Sequence, residues 1–221
     1  MLIMSDMNAR AARIYSEIEH RADAIIHVIG VLFAINASLW LLAHIADAGA
    51  GVIASVSVYC AGLLAMIGFS AAYNLTPHHK PAKQVLRRLD HAAIFIMIAA
   101  TYTPFAANRL GIETGSIILT LIWLTATFGV VMKLVWPHRF ERLSLVLYIG
   151  MGWMIVTVMK PLSASLAAVD FWLLVAGGLI YSAGIAFYVI ERIPFHKAIW
   201  HGFVLTAAIV HFSAIASEFV R

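Results

Sequence analysis

Seven apolar runs, each close to the length needed to cross a bilayer, alternate along this chain with short polar segments. A helix must devote roughly 20 residues to crossing the hydrocarbon core. The runs are Ala24–Ala46, Val52–Tyr73, His91–Asn108, Ser116–Trp136, Leu143–Met159, Phe171–Ile190 and Ala198–Ser217. Between them lie helix breakers: Ala48 to Gly51, Pro77 with Pro81, Gly111 to Gly115, Pro137, Pro161 and Pro194. No connecting segment is long enough for a soluble domain. The pattern predicts an all-α integral membrane protein, a seven-transmembrane helix bundle over 24–217. A polar leader helix (1–23) precedes it and a short tail (218–221) follows. The leader lacks the apolar core and cleavage site of a secretory signal.

Charge distribution sets the expected orientation. Only 12% of residues are charged and 62% are apolar, a balance that fits lipid as the solvent. Twelve of the 15 lysines and arginines fall on one side if the N-terminus is cytoplasmic: Arg10, Arg13, Arg21, Lys80, Lys83, Arg87, Arg88, Lys133, Arg139, Arg142, Arg192 and Lys197. Arg109, Lys160 and Arg221 fall on the other side. Loops this short obey the positive-inside rule, which places the N-terminus in the cytoplasm and the C-terminus outside. The net charge of +4 therefore serves orientation and is no nucleic-acid footprint. The expected location is the bacterial inner membrane, with membrane lipids as partners; the sequence names no soluble partner and no oligomeric state.

Smaller features read as architecture. The single cysteine, Cys60, excludes an internal disulfide and is expected to pack in the core. Gly62, Gly68, Gly178 and Gly184 are expected at close helix contacts. Trp136, Trp153, Trp172 and Trp200 are expected in interfacial belts. Pro104 should kink the third span, its freed carbonyl bonded by a neighbour such as Thr101 or Thr103.

Ionisable groups within a membrane bundle are costly and mark function by default. Here they gather at the predicted cytoplasmic end, whereas the outer half reads as almost wholly apolar. Ser70 and Asn74 share a face of the second span, Lys197 and His201 a face of the seventh, and Asp23 and His27 a face of the first, each at i, i+4 spacing. Asp90 and His91 open the third span. Asp23, His78, His79 and His138 read as interfacial groups reaching headgroups or water. Ser70, Asp90 and His201 lie further inside and are the functional candidates. His211 lies about 15 Å along the helix from His201 at the usual rise, and reads as a core histidine bonded to a neighbouring helix.

Three stretches carry a resemblance: Glu19-His-Arg-Ala-Asp-Ala-Ile-Ile-His27, Arg88-Leu-Asp-His-Ala-Ala-Ile-Phe95 running into Thr101-Tyr-Thr-Pro-Phe105, and Ala198-Ile-Trp-His-Gly-Phe-Val204 with His211-Phe212. Together they resemble the hemolysin III family of the progestin and adipoQ receptor superfamily. The resemblance implies a seven-helix, N-inside bundle with a zinc hydrolase centre at its inner end. The zinc would be held by the histidine of a Ser-x-x-x-His motif on the second helix and by both histidines of His-x-x-x-His on the seventh. A serine and an aspartate would stand beside the metal-bound water.

At two of the three implied ligand positions this chain differs. The second-helix motif reads Ser70 to Asn74, and Lys197 stands where the first histidine of the seventh-helix motif belongs. His201 is the one retained ligand, with Ser70 and Asp90 as family-equivalent catalytic groups. Asparagine is a poor zinc ligand and a protonated lysine is none. A site rearranged around His78, His79, His91 or His196 would be the alternative route to zinc. The favoured reading has Lys197 replacing the metal and pairing with Asp90, while Asn74 and His201 supply hydrogen bonds.

Three functions follow. The first is a degenerate zinc-hydrolase site in a protein of membrane lipid homeostasis or sensing, or of cytolytic pore type. The second is an active zinc-dependent lipid amidase with a rearranged metal site. The third is a proton-coupled channel or transporter using Asp90, Lys197 and His201.

Overall fold

The structure, a computed structural model, describes residues 16–77, 79–137 and 139–220. Most of the predicted leader, together with His78 and His138, lies outside the described residues. Those described form helices and no strands: α1 (Glu17–His44), α2 (Ala50–Leu75), α3 (Ala82–Asn108), α4 (Ile112–Val135), α5 (Glu141–Gly152), α6 (Met159–Ser165), α7 (Ala168–Val189) and α8 (His196–Phe219). A 3-10 segment, Trp153–Val158, joins α5 to α6, and the three together make one span, Glu141–Ser165. Seven helices are thus long and apolar enough to cross a membrane. Large apolar side chains such as Leu32, Leu124 and Trp172 face outward, as they do where hydrocarbon replaces water.

The helices overrun the apolar stretches that reveal them. The third begins at Ala82 rather than His91 and carries Lys83, Arg87 and Arg88 on its first turns. Hydropathy registers the hydrocarbon core, whereas backbone hydrogen bonding continues into the interface, where long basic side chains reach water. The first helix begins at Glu17 because Ser16 and Glu19 form a capping box.

The core is a set of close crossings of α2 with α1 and α3, of α3 with α4, and of α8 with α7 and α1, with Tyr59, Leu63, Phe95 and Ile215 fully buried. Cys60 packs there, as expected. Close approach needs glycine at Gly62, where a Cβ would lie 2.6 Å from that of Ala100. At Gly177 it would lie 2.2 Å from the His211 ring. Gly184 is similarly crowded by Phe203, but Gly68 and Gly178 face open space, contrary to expectation. Trp136 and Trp172 sit exposed near helix ends, whereas Trp153 turns inward and its indole donates to the Ser182 hydroxyl at 3.0 Å.

The fifth span breaks because Pro161 has no N–H to continue an α-helix and its ring clashes with the carbonyl one turn back. The chain tightens to 3-10 just before it. Tyr102 repairs the break. Its hydroxyl donates to the Gly152 carbonyl at 2.9 Å and accepts from the Ile155 N–H at 2.8 Å. Nearby Pro104 sits within a continuous α3. The hydroxyls of Thr101 and Thr103 bond to the Met97 and Ala99 carbonyls, so neither serves the Ala100 carbonyl that Pro104 frees. Their own i−4 carbonyls are the nearest acceptors on the helix surface.

Charged groups tie the ends. Lys133, 2% exposed, reaches Glu141 at 2.8 Å, and Arg87 reaches the same carboxylate at 3.4 Å, joining α3, α4 and α5. At the far end Arg109 pairs with Glu218 between the last turns of α3 and α8. That half also buries Asp170, Ser38, Ser55 and Glu218, so the expectation of an almost wholly apolar outer half is corrected. Asn108 donates to Ser55 and Arg109 meets Glu218 across helices there, and single residues inside apolar runs do not disclose that.

Tyr102→Phe should lower stability by about 1–3 kcal/mol, because it strands a carbonyl and an N–H where no water replaces the hydroxyl. Detergent unfolding of the two proteins measures it; unchanged stability would mean that the break is satisfied otherwise.

Candidate functional site

The polar cluster lies at the end of the bundle where α1, α3 and α8 begin and α2 finishes. Its geometry starts with Glu19. One carboxylate oxygen accepts from the Ser16 N–H at 2.9 Å, closing the capping box of α1. The other accepts from the Phe195 N–H at 2.8 Å. Phe195 is the residue before α8 and holds a left-handed conformation (φ 60°), which is costly for a side chain with a Cβ. Glu19 therefore fixes the entry of α8 against the first turn of α1.

That junction brings Asp23 and His201 together. His201 Nδ1 lies 2.6 Å from Asp23 Oδ1. One turn further along α1, His27 Nε2 lies 3.5 Å from Asp23 Oδ2, and the two imidazole rings are 4.4 Å apart between centroids. Asp23, read from sequence as interfacial, is instead the hub of the cluster. The signal was present in the i, i+4 pairs of the first and seventh spans, but the facing of those two pairs depends on how the helices rotate about each other.

The remaining candidates stand nearby. Ser70 faces Asp90, and Asn74 donates to the Ser70 carbonyl at 3.0 Å and lies 3.5 Å from its hydroxyl. Lys83 caps the end of α2 by donating to the Tyr73 and Thr76 carbonyls. The lysine and arginine whose charges reach Asp90 are Lys83 and Arg87. The charges of Asp23 and Glu191 act on Lys197. Helix α1 carries Asp23 into a site that the sequence reading built from α2, α3 and α8.

A cavity of about 680 Å³ opens inward from this cluster. Its polar end is lined by His27, Ser70, Asn74, Asp90, Lys197 and His201. From there it runs between α3, the fifth span, α7 and α8, past Thr101, Ile155 and Leu174, to Leu162 and His211. Most of its wall is apolar, a usual makeup for a ligand cavity of this size. The fifth span forms one side and packs sparsely against the rest of the bundle. His211 is a core histidine, as expected, its Nε2 3.2 Å from the Leu174 carbonyl on α7.

Zinc does not fit the positions implied by resemblance. Asn74 is engaged with its own helix, and Lys197 offers a cation. Among the described residues, the substitutes weighed from sequence form no zinc-ligand group either. His196 turns to the Phe187 carbonyl on α7 at 3.2 Å. Among the described residues, the grouping with metal-ligand proximity is Asp23, His27 and His201, whose ligand atoms lie within 4.8 Å of one another.

Comparison with known proteins gives a consistent picture. The family model "Haemolysin-III related" matches residues 16–212. The chain is 39% identical to the "Hemolysin-3 homolog" of Bacillus subtilis (strain 168) over 199 residues, covering 89% of this chain and 92% of that one. It is 37% identical to "Hemolysin-3" of Bacillus cereus over 198 residues, covering 89% and 90%. It is also 29% identical to the human "Monocyte to macrophage differentiation factor" over 202 residues, covering 89% and 83%. No solved structure matches.

Glu19→Ala should destabilise the protein by about 1–3 kcal/mol, since the Phe195 N–H loses a charged partner at a strained backbone position. Glu17→Ala, at an exposed site two residues away, should change little. Parallel thermal unfolding checks this; equal effects would deny Glu19 its role in docking α8.

Proposed function

The chain belongs to the haemolysin III family, and on that premise we propose that this multi-pass membrane protein binds a membrane lipid within its bundle and serves lipid homeostasis or sensing. The observation that carries the proposal is the 680 Å³ cavity, apolar along its length and polar at one end. That division matches the chemistry of a lipid. An acyl chain gains from apolar burial, while an amide, ester or headgroup finds donors and acceptors at Ser70, Asn74, Asp90 and His201. The sparsely packed fifth span is the side by which a chain enters from the bilayer. The basic residues around the polar end favour the inner leaflet of the bacterial plasma membrane, with the N-terminus in the cytoplasm. A cytolytic pore, the role suggested by the names of the Bacillus relatives, is the poorer match, because an aqueous path needs a polar wall.

A second reading, hydrolysis of the bound lipid, is favoured by the Ser70 hydroxyl standing against the Asp90 carboxylate at the cavity's polar end. A hydroxyl next to a base is the minimal arrangement for activating a nucleophile.

Gly178 gives a clean test of lipid binding. It lines the cavity, and a Cβ added there meets nothing within 4 Å. Gly178→Phe should fill the space without disturbing helix contacts. Delipidated wild type should retain about one lipid per chain by native mass spectrometry, and the variant should lose most of it at unchanged stability. Equal retention in both would refute the cavity as the binding place. For the second reading, Ser70→Ala should keep the lipid and abolish any release of fatty acid; continued release would remove Ser70 from the chemistry.

A further inference from the structure

We propose that Asp23, His27 and His201 form a binding site for one divalent transition-metal ion, zinc by ligand preference, displaced from the family's motif positions onto the α1–α8 contact. Three observations converge. The first is the donor set. Two imidazoles and one carboxylate, all largely buried, suit zinc and exclude the hard, oxygen-seeking ions calcium and magnesium. The second is proximity. Asp23 and His27 lie one turn apart on a single face of α1, His201 meets them from α8, and the three ligand atoms lie within 4.8 Å of one another. A modest closing of rotamers brings that spread to coordination distance.

The third observation points to a missing partner. His27 is 4% exposed, and its Nε2 meets Asp23 Oδ2 only at 3.5 Å, long for a hydrogen bond. That long contact leaves the imidazole nitrogen weakly engaged at a buried position, where a stronger partner is favoured. A metal ion uses that lone pair, and it also accounts for a carboxylate and two imidazoles crowded together at one level. In the metal-free arrangement the His201 Nδ1 proton lies on the line to Asp23 Oδ1. Binding the ion at Nδ1 requires the imidazole proton to move to Nε2, and the two facing atoms then become ligands.

The site's surroundings shape its behaviour. His27 and His201 line the large cavity, whereas Asp23 borders a small cleft with Glu19, Lys83 and Lys197 on its other side. The ion would therefore sit in the wall between them, its open coordination position towards the cavity that also holds Ser70 and Asp90. The charge of Lys197 reaches both Asp23 and His201 and opposes a dication. Lys197 thus weakens metal binding rather than abolishing it, and Lys197→Met should tighten it several-fold. The inference stands apart from lipid binding, because metal content is measured on protein with or without lipid.

The test is titration of chelator-treated, full-length protein in detergent with zinc, followed by elemental analysis, and with cobalt(II), followed by visible absorption. Wild type should bind about one ion per chain with the cobalt spectrum of a four-coordinate site. His27→Ala and Asp23→Ala should bind none, and Asn74→Ala should bind as wild type does. Asp23→Cys guards against variants that fail to fold, since a thiolate ligand adds a charge-transfer band to the cobalt spectrum that misfolded protein does not give. A wild type that binds no ion, an Asp23→Cys protein without the band, or undiminished binding in His27→Ala would each overturn the assignment.

Discussion

A bilayer offers no water to a buried polar group, and most of what distinguishes this bundle is how its internal polar atoms find partners. Tyr102 supplies both a donor and an acceptor where the fifth span breaks. Lys133 and Arg87 converge on Glu141 at one end, and Arg109 meets Glu218 at the other. Glu19 divides its two oxygens between the start of α1 and the entry of α8. Several of these contacts join segments far apart in sequence, as Arg109 with Glu218 and Glu19 with Phe195 do. By bridging helices, these contacts fix a particular helix arrangement as well as stabilise it.

The polar cluster follows from that arrangement. With α8 held against α1, His201 meets Asp23, and the pair closes the polar end of a cavity whose remaining walls are mainly apolar. Asn74 and Lys197 stand where the resemblance implies two zinc ligands. In the proposed metal site the aspartate and histidine of α1, with His201, supply the donors beside the same cavity, which Ser70 and Asp90 also line.

The fold was largely legible because lipid imposes a coarse rule on sequence. Apolar runs near twenty residues long mark spans regardless of how they pack, and all seven appear in the structure. Their ends were less legible, since α3 continues through Lys83, Arg87 and Arg88 beyond the apolar run. Pro161 signalled a breaker, but its effect on the preceding turn depends on Tyr102 from another helix. Ser70, Asp90 and His201 were visible as candidates because polar residues at that depth are rare. The role of Asp23 was not visible, since the rotation of α1 against α8 is set by distant packing, including Gly30 against Leu205. Ser16 and Glu19 carried a readable capping signature, yet the bond from Glu19 to Phe195 is purely tertiary.

The sharpest test is a high-resolution cryo-electron microscopy map of the protein in a lipid bilayer. The arrangement described here predicts elongated density between α3, the fifth span, α7 and α8, running from beside Ser70 and Asp90 towards His211. A collapsed space, or one holding only discrete water peaks along its apolar wall, would contradict it.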